Sequence, residues 1–173
     1  LNYAAAATKA MGNLAADPRT LFVGQSVAYP GQRLFGTFSA VPMERRVELP
    51  IAEDFQLGYC IGLAMAGFVP VCFYPRLDFL LIAMNQLANH MDWMGQQVIV
   101  RTAIGSRVPL DPGAAHSHDC VPALRGLLVN TVIEEPRTPE QLIDAYGNAL
   151  RRRGPTLVIE RMALYDAPAE VPA

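Results

Sequence analysis

From Phe55 to Pro75 the chain carries no charged side chain; Asp54 and Arg76 bound the stretch. A membrane span is one solution for so long an uncharged run. Gly58, Gly62, Gly67, Pro70 and Pro75 punctuate it, however, and break it into a helix over 55–66, a stop at Gly67 and a strand over 69–74. A helix and a strand this apolar need cover on every side, which constrains the fold to stacked layers. The 173 residues suit one α/β domain able to bury a continuous core. With 51% hydrophobic and only 17% charged residues, disorder is excluded, and part of the surface is expected to meet partners. A net charge of −2 gives no electrostatic footprint for nucleic acid. Cys60, Cys72 and Cys120 are an odd set at unrelated spacings, so neither a disulfide scaffold nor a CxxC metal site is indicated. A reducing, cytoplasmic location is expected. The Ala-rich start, residues 1–12, reads as a surface helix without a signal-peptide cleavage pattern. No membrane span is expected.

Helix and strand signals alternate along the rest. Strands are predicted at 21–24, 46–49, 69–74, 97–102, 129–133 and 156–160, with helices from Glu53 and over 77–93 and 121–128 between them. The start of the last helix is the clearest: Thr138 can cap, Pro139 takes the first helical position and Gln141 completes a capping box. That helix ends in Arg151-Arg152-Arg153-Gly154, with cations at the negative end of its dipole. Long loops are predicted over 25–42 and 103–119. Several strands are apolar on both faces, the pattern of a doubly wound, mostly parallel sheet of about six strands with helices on both faces. In such sheets ligands bind beyond the carboxyl ends of the strands.

No GxGxxG, GxxxxGK[ST] or GxSxG occurs, so dinucleotide, P-loop and hydrolase chemistry lack support. Glu53 follows a strand and opens a very apolar helix. It serves there as a complement to the helix dipole, as a solvated loop acid, or as a shielded carboxylate that needs a proton-sharing partner. His116, His118 and Cys120 would face one side of an extended segment. They supply only three ligands in no known metal spacing, so metal is not expected; solvated loop histidines and a substrate-facing acid/base are the other readings. Arg76 and Phe79 follow the 69–74 strand and read, taken alone, as surface charge and core residue.

Pro50-Ile51-Ala52-Glu53, with Gly58 and Gly62 beyond it, matches the E-x4-G-x3-G segment of thiamine diphosphate enzymes. Further matches follow in order. They include Gly24-Gln25-Ser26-Val27, Asp78-Phe79, Asn85-Gln86-Leu87, Ile99-Val100-Arg101, His116-Ser117, Thr138-Pro139-Glu140 and Leu157-Val158-Ile159-Glu160. The chain resembles the pyrimidine-binding, transketolase-like domain in the beta subunit of pyruvate and branched-chain 2-oxo-acid dehydrogenases. The resemblance runs from about residue 21 to residue 165.

The resemblance implies that Glu53 hydrogen-bonds N1′ of the cofactor's aminopyrimidine, so that the 4′-nitrogen can remove the thiazolium C2 proton. A carboxylate shielded from water shares a proton strongly with a ring nitrogen. It also implies that Phe79 stacks on the pyrimidine, Ile51 contacts it, and His116 lies over the substrate as a positioning or acid/base group. Gly58 and Gly62 would let paired helices approach at a subunit interface. Arg76, Arg101, His116 and His118 are candidates for binding a substrate carboxylate or phosphate.

The chain departs from the family at Gln25-Ser26, where two carboxylates are usual, and at His118, where the family has Gln. Residues 106–113 also lack the usual glycine-rich run. The motif that holds Mg²⁺ and diphosphate is absent, as in a beta subunit, so an alpha-type partner would carry both, in an expected heterotetramer. All of 1–173 is expected to form this one domain, without the second α/β domain that follows in a family beta subunit. The implied reaction is 2-oxo-acid decarboxylation with acyl transfer. Ketol transfer from a sugar phosphate and a non-catalytic stabilising paralogue are the alternatives.

Overall fold

The computed structural model describes residues 1–107 and 111–166. Part of the predicted 103–119 loop, including Pro109, and the end of the predicted domain lie outside the described residues. The six strands are β1 (Thr20–Gly24), β2 (Arg46–Glu48), β3 (Val69–Tyr74), β4 (Ile99–Ile104), β5 (Val132–Glu134) and β6 (Thr156–Arg161). They form one parallel sheet in the order β2-β1-β3-β4-β6-β5. The chain lays β2 on one side of β1 and β3 on the other, so the topological switch point lies at the carboxyl ends of β1 and β3.

Alternation along the strands sorts the core into two layers. Val71 and Phe73 of β3 face one layer, with Phe22, Ile99 and Val158, under α1 (Tyr3–Ala15) and α5 (Pro139–Arg151). Cys72 and Tyr74 face the other, with Val23, Val100 and Ile159, under α2 (Glu53–Met65), the segment from Leu77 to Asp92, and α4 (Val121–Leu127). The doubly wound, single-domain expectation therefore holds.

The local elements differ from expectation in informative ways. The N-terminal helix is no mere surface element: Ala6, Ala7, Ala10, Met11 and Leu14 form a buried face against the sheet layer. The expected helix over 77–93 is broken into α3 (Leu77–Leu80), a 3₁₀ turn (Leu81–Ala83) and a π-helical turn (Gln86–Asp92). Asp92 explains the far end. Its buried carboxylate accepts hydrogen bonds from the backbone N–H groups of Val129, Asn130 and Thr131 and from the Thr131 hydroxyl. Those donors are thereby withheld from any ladder, and β5 begins only at Val132 rather than at 129. β4 likewise runs two residues later than expected, to Ile104. Thr138 caps α5 as predicted, accepting from the N–H of Gln141 at 3.2 Å. The Gln141 carboxamide reaches back one residue further than a capping box requires, to the N–H of Arg137. The short helix α6 (Met162–Asp166) follows β6 and was not expected.

The long 25–42 connection is pinned to β2. Glu48 accepts from the N–H groups of Val27 and Ala28 at 2.9 and 2.7 Å and also from Ser26, which this holds in the left-handed region at φ 54°. Arg46 donates to the carbonyls of Phe38, Val41 and Val27. The connection carries a 3₁₀ turn at Arg33–Phe38. Among the described residues no helix is long and apolar enough to cross a membrane.

Candidate functional site

Glu53 is the first residue of α2, directly beyond the β2 edge, and only 9% exposed. Two side-chain bonds fasten this first turn to the end of β3. The Tyr74 hydroxyl donates to the Glu53 carbonyl at 2.7 Å, and Gln56 Nε2 donates to the Phe73 carbonyl at 2.8 Å. Burial pushes the Tyr74 phenol far up, so it stays a neutral donor. Gly24 permits the close approach: a Cβ there would meet the Phe73 carbonyl oxygen at 2.5 Å. The Glu53 carboxylate itself makes no hydrogen bond or ion pair with any described residue. A carboxylate without a partner on a largely buried residue is available to an incoming hydrogen-bonding group.

Phe79 and His116 meet at the same carboxyl edge. Phe79 lies in α3, just after β3, and His116 ends the 3₁₀ turn Ala114–His116 beyond β4. Their rings meet edge to face, with centroids 5.5 Å apart and planes at 89°. Arg76, at the N-cap of α3, is half-buried, and its guanidinium makes no hydrogen bond or ion pair with a described residue. Burial lowers its pKa; Asp78 opposes that and Arg33 adds to it. His118 is exposed and holds its Nδ1 3.2 Å from Asp78 Oδ1.

Ile51 precedes Glu53 and is 79% exposed. It begins an outward apolar stripe with Phe55 and Tyr59, whose rings stack 6.0 Å apart, and with Met65 further along. Of the two glycines, Gly58 faces the Gln86 carboxamide of its own chain, whereas Gly62 opens to empty space. Among the described residues no three His, Cys, Asp or Glu side chains cluster to hold a metal ion.

Arg101 is the clear correction. It is fully buried on β4, and its guanidinium forks onto the Glu160 carboxylate of β6 at 2.9 and 3.1 Å. It also donates to Thr37 and lies over the Phe38 and Phe73 rings. It therefore cannot reach a substrate. The residues that sequence reasoning missed are Tyr74, Gln56 and Asp78. An acid directly before Phe79 was a visible signal for the last; the clamping roles of the first two depend on contacts between separate elements.

Residues 1–167 match the transketolase, pyrimidine binding domain family. The chain is 27% identical over 179 residues to the pyruvate dehydrogenase E1 component subunit beta of Mesostigma viride, covering 92% of this chain and 51% of that protein. It is 26% identical over 166 residues to the mitochondrial subunit of Bos taurus, covering 91% of this chain and 46% of the relative. The fold superimposes on a split gene transketolase, described as an inactive beta4 tetramer. The TM-score is 0.74 at 20% identity, over 91% of this chain and 50% of that one. The chain thus spans about half the length of the curated relatives it matches. The ordered motifs, the parallel sheet and the match across residues 1–167 place the chain in the transketolase pyrimidine-binding domain family.

Proposed function

We propose that this chain supplies the pyrimidine half-site of a thiamine diphosphate enzyme of the beta-subunit type, and that the enzyme decarboxylates a 2-oxo acid and transfers the acyl group. The observation that carries the reading is Glu53, a residue only 9% exposed whose helix turn is held to β3 by Tyr74 and Gln56 and whose carboxylate is unpartnered within the described chain. The cofactor, when bound, supplies a nucleophilic thiazolium carbon. Glu53 holds and shares a proton at the pyrimidine ring nitrogen, where exclusion of water strengthens the hydrogen bond. Phe79 offers an aromatic face and Ile51 an apolar contact to the same ring. His116, steered by its edge contact with Phe79, positions the substrate or moves a proton on it.

Mg²⁺ and the diphosphate fall to an alpha-type partner chain, in a heterotetramer. The outward stripe of Ile51, Phe55, Tyr59 and Met65, with open space at Gly62, supports burial against another polypeptide. The structural neighbour's beta-only assembly is described as inactive, in keeping with a half-site that needs a second kind of chain. Two of the relatives quoted are pyruvate dehydrogenase subunits, which favours decarboxylation over ketol transfer.

The test is Glu53→Gln in the assembled enzyme. Turnover should fall by about 10²- to 10⁴-fold, the range for losing a positioned proton-transfer group, with assembly intact. His116→Ala should lower turnover more than it weakens cofactor binding. Full turnover in Glu53→Gln would overturn the reading.

A further inference from the structure

The Asp78 side chain is only 8% exposed, and both of its oxygens are buried without a hydrogen bond. Leaving a carboxylate so placed is costly unless a charged or donor group faces it. The groups around it are few. Arg76 precedes it in the same turn, the Cys120 thiol lies across the loop, and His118 Nδ1 stands 3.2 Å from Oδ1. Burial pushes the Cys120 thiol up, and the Asp78 carboxylate adds to that, so the thiol stays neutral and cannot neutralise the acid. His118 alone approaches to contact distance. Its side chain is 64% exposed, and the 3.2 Å approach is within ion-pair range although it is not aligned as a hydrogen bond.

We propose that Asp78 is a positioning residue: its buried carboxylate holds the Nδ1 side of His118 and presents Nε2 to the anionic group of the donor substrate, beside Arg76. A carboxylate on one ring nitrogen fixes both the tautomer and the orientation of the other. Arg76, which has no partner among the described residues, completes a cationic corner at the carboxyl edge. The substrate role rests on the cofactor-activating reading of Glu53; the Asp78–His118 pairing itself does not.

The test has two arms, both on the assembled protein. The chain contains three histidines, so ¹⁵N-histidine labelling gives a sparse NMR spectrum, and His118→Gln assigns the signal of interest. The wild-type signal should report a proton fixed on Nδ1. Asp78→Asn, nearly isosteric and freed of a buried charge, should keep the fold but lose that tautomer preference. In the kinetic arm, KM for the donor should rise about tenfold in Asp78→Asn and in His118→Gln, with no further loss in the double variant, as for two residues acting as one unit. The assay is run separately with a 2-oxo acid and with a ketose phosphate, and the donor that shows the effect identifies the anion as carboxylate or phosphate. An unchanged His118 tautomer in Asp78→Asn would overturn the pairing. A changed tautomer with unchanged KM for both donors would overturn the substrate role. Full turnover in Glu53→Gln, with the His118 signal responding to Asp78→Asn, would mark failure of the cofactor reading alone.

Discussion

A methyl group on Gly105 would sit 2.1 Å from the carbonyl oxygen of His116. No side chain flexes to relieve that contact, because both partners are backbone. Gly105→Ala should therefore push the Ala114–His116 turn off the end of β4, destabilise the protein by about 2 kcal/mol and separate the His116 ring from Phe79. Urea denaturation checks the first effect and turnover of the assembled enzyme the second; an unchanged midpoint and rate would mean that the turn is not held by this contact. The spacing Glu53, Gly58, Gly62 was legible in the sequence because one helix carries it. The need for Gly105 was not, since it arises from a loop returning eleven residues later. Arg101 was misread for a related reason. A cation in an apolar strand looks available to a ligand until its partner on another strand is known.

At the scale of elements, that partner organises one layer. Glu160 receives Arg101 from β4, Tyr146 from α5 at 2.5 Å and Tyr165 from α6, while Arg101 also reaches Thr37 in the Arg33–Phe38 turn. Burial alone would lower the Arg101 pKa; the Glu160 carboxylate more than reverses this, and the guanidinium stays charged. Removing one member strands the other, so Arg101→Leu should cost about 3–5 kcal/mol. Replacing both with leucine should recover part of that loss, measured by thermal and urea unfolding. Equal losses in single and double variants would contradict the pairing. The six strands and the capping of α5 were readable because apolar alternation and Thr138-Pro139 are local signals. The break between Leu77 and Asp92 was not. Its apolar spacing suits a plain helix, and only the bonds that Asp92 accepts from the N–H groups of Val129, Asn130 and Thr131 show what the backbone accommodates.

At the scale of the molecule, β1 and β3 part at the switch point and leave one carboxyl edge where Glu53, Arg76, Asp78, Phe79, His116 and His118 gather. The edge is open. A 290 Å³ cleft on the other layer is lined by Arg33, Thr37 and Tyr165 and includes none of these edge residues. A largely buried, unpartnered Glu53 beside an exposed apolar stripe is what the proposed half-site requires. The most direct measurement is native mass spectrometry of the protein taken with its natural partners, in thiamine diphosphate and Mg²⁺. The predicted result is an assembly containing this chain, a second kind of chain and the cofactor mass, with the cofactor lost when the chains are separated. An active, cofactor-loaded assembly built from this chain alone, or a complete assembly that takes up no thiamine diphosphate, would contradict the account.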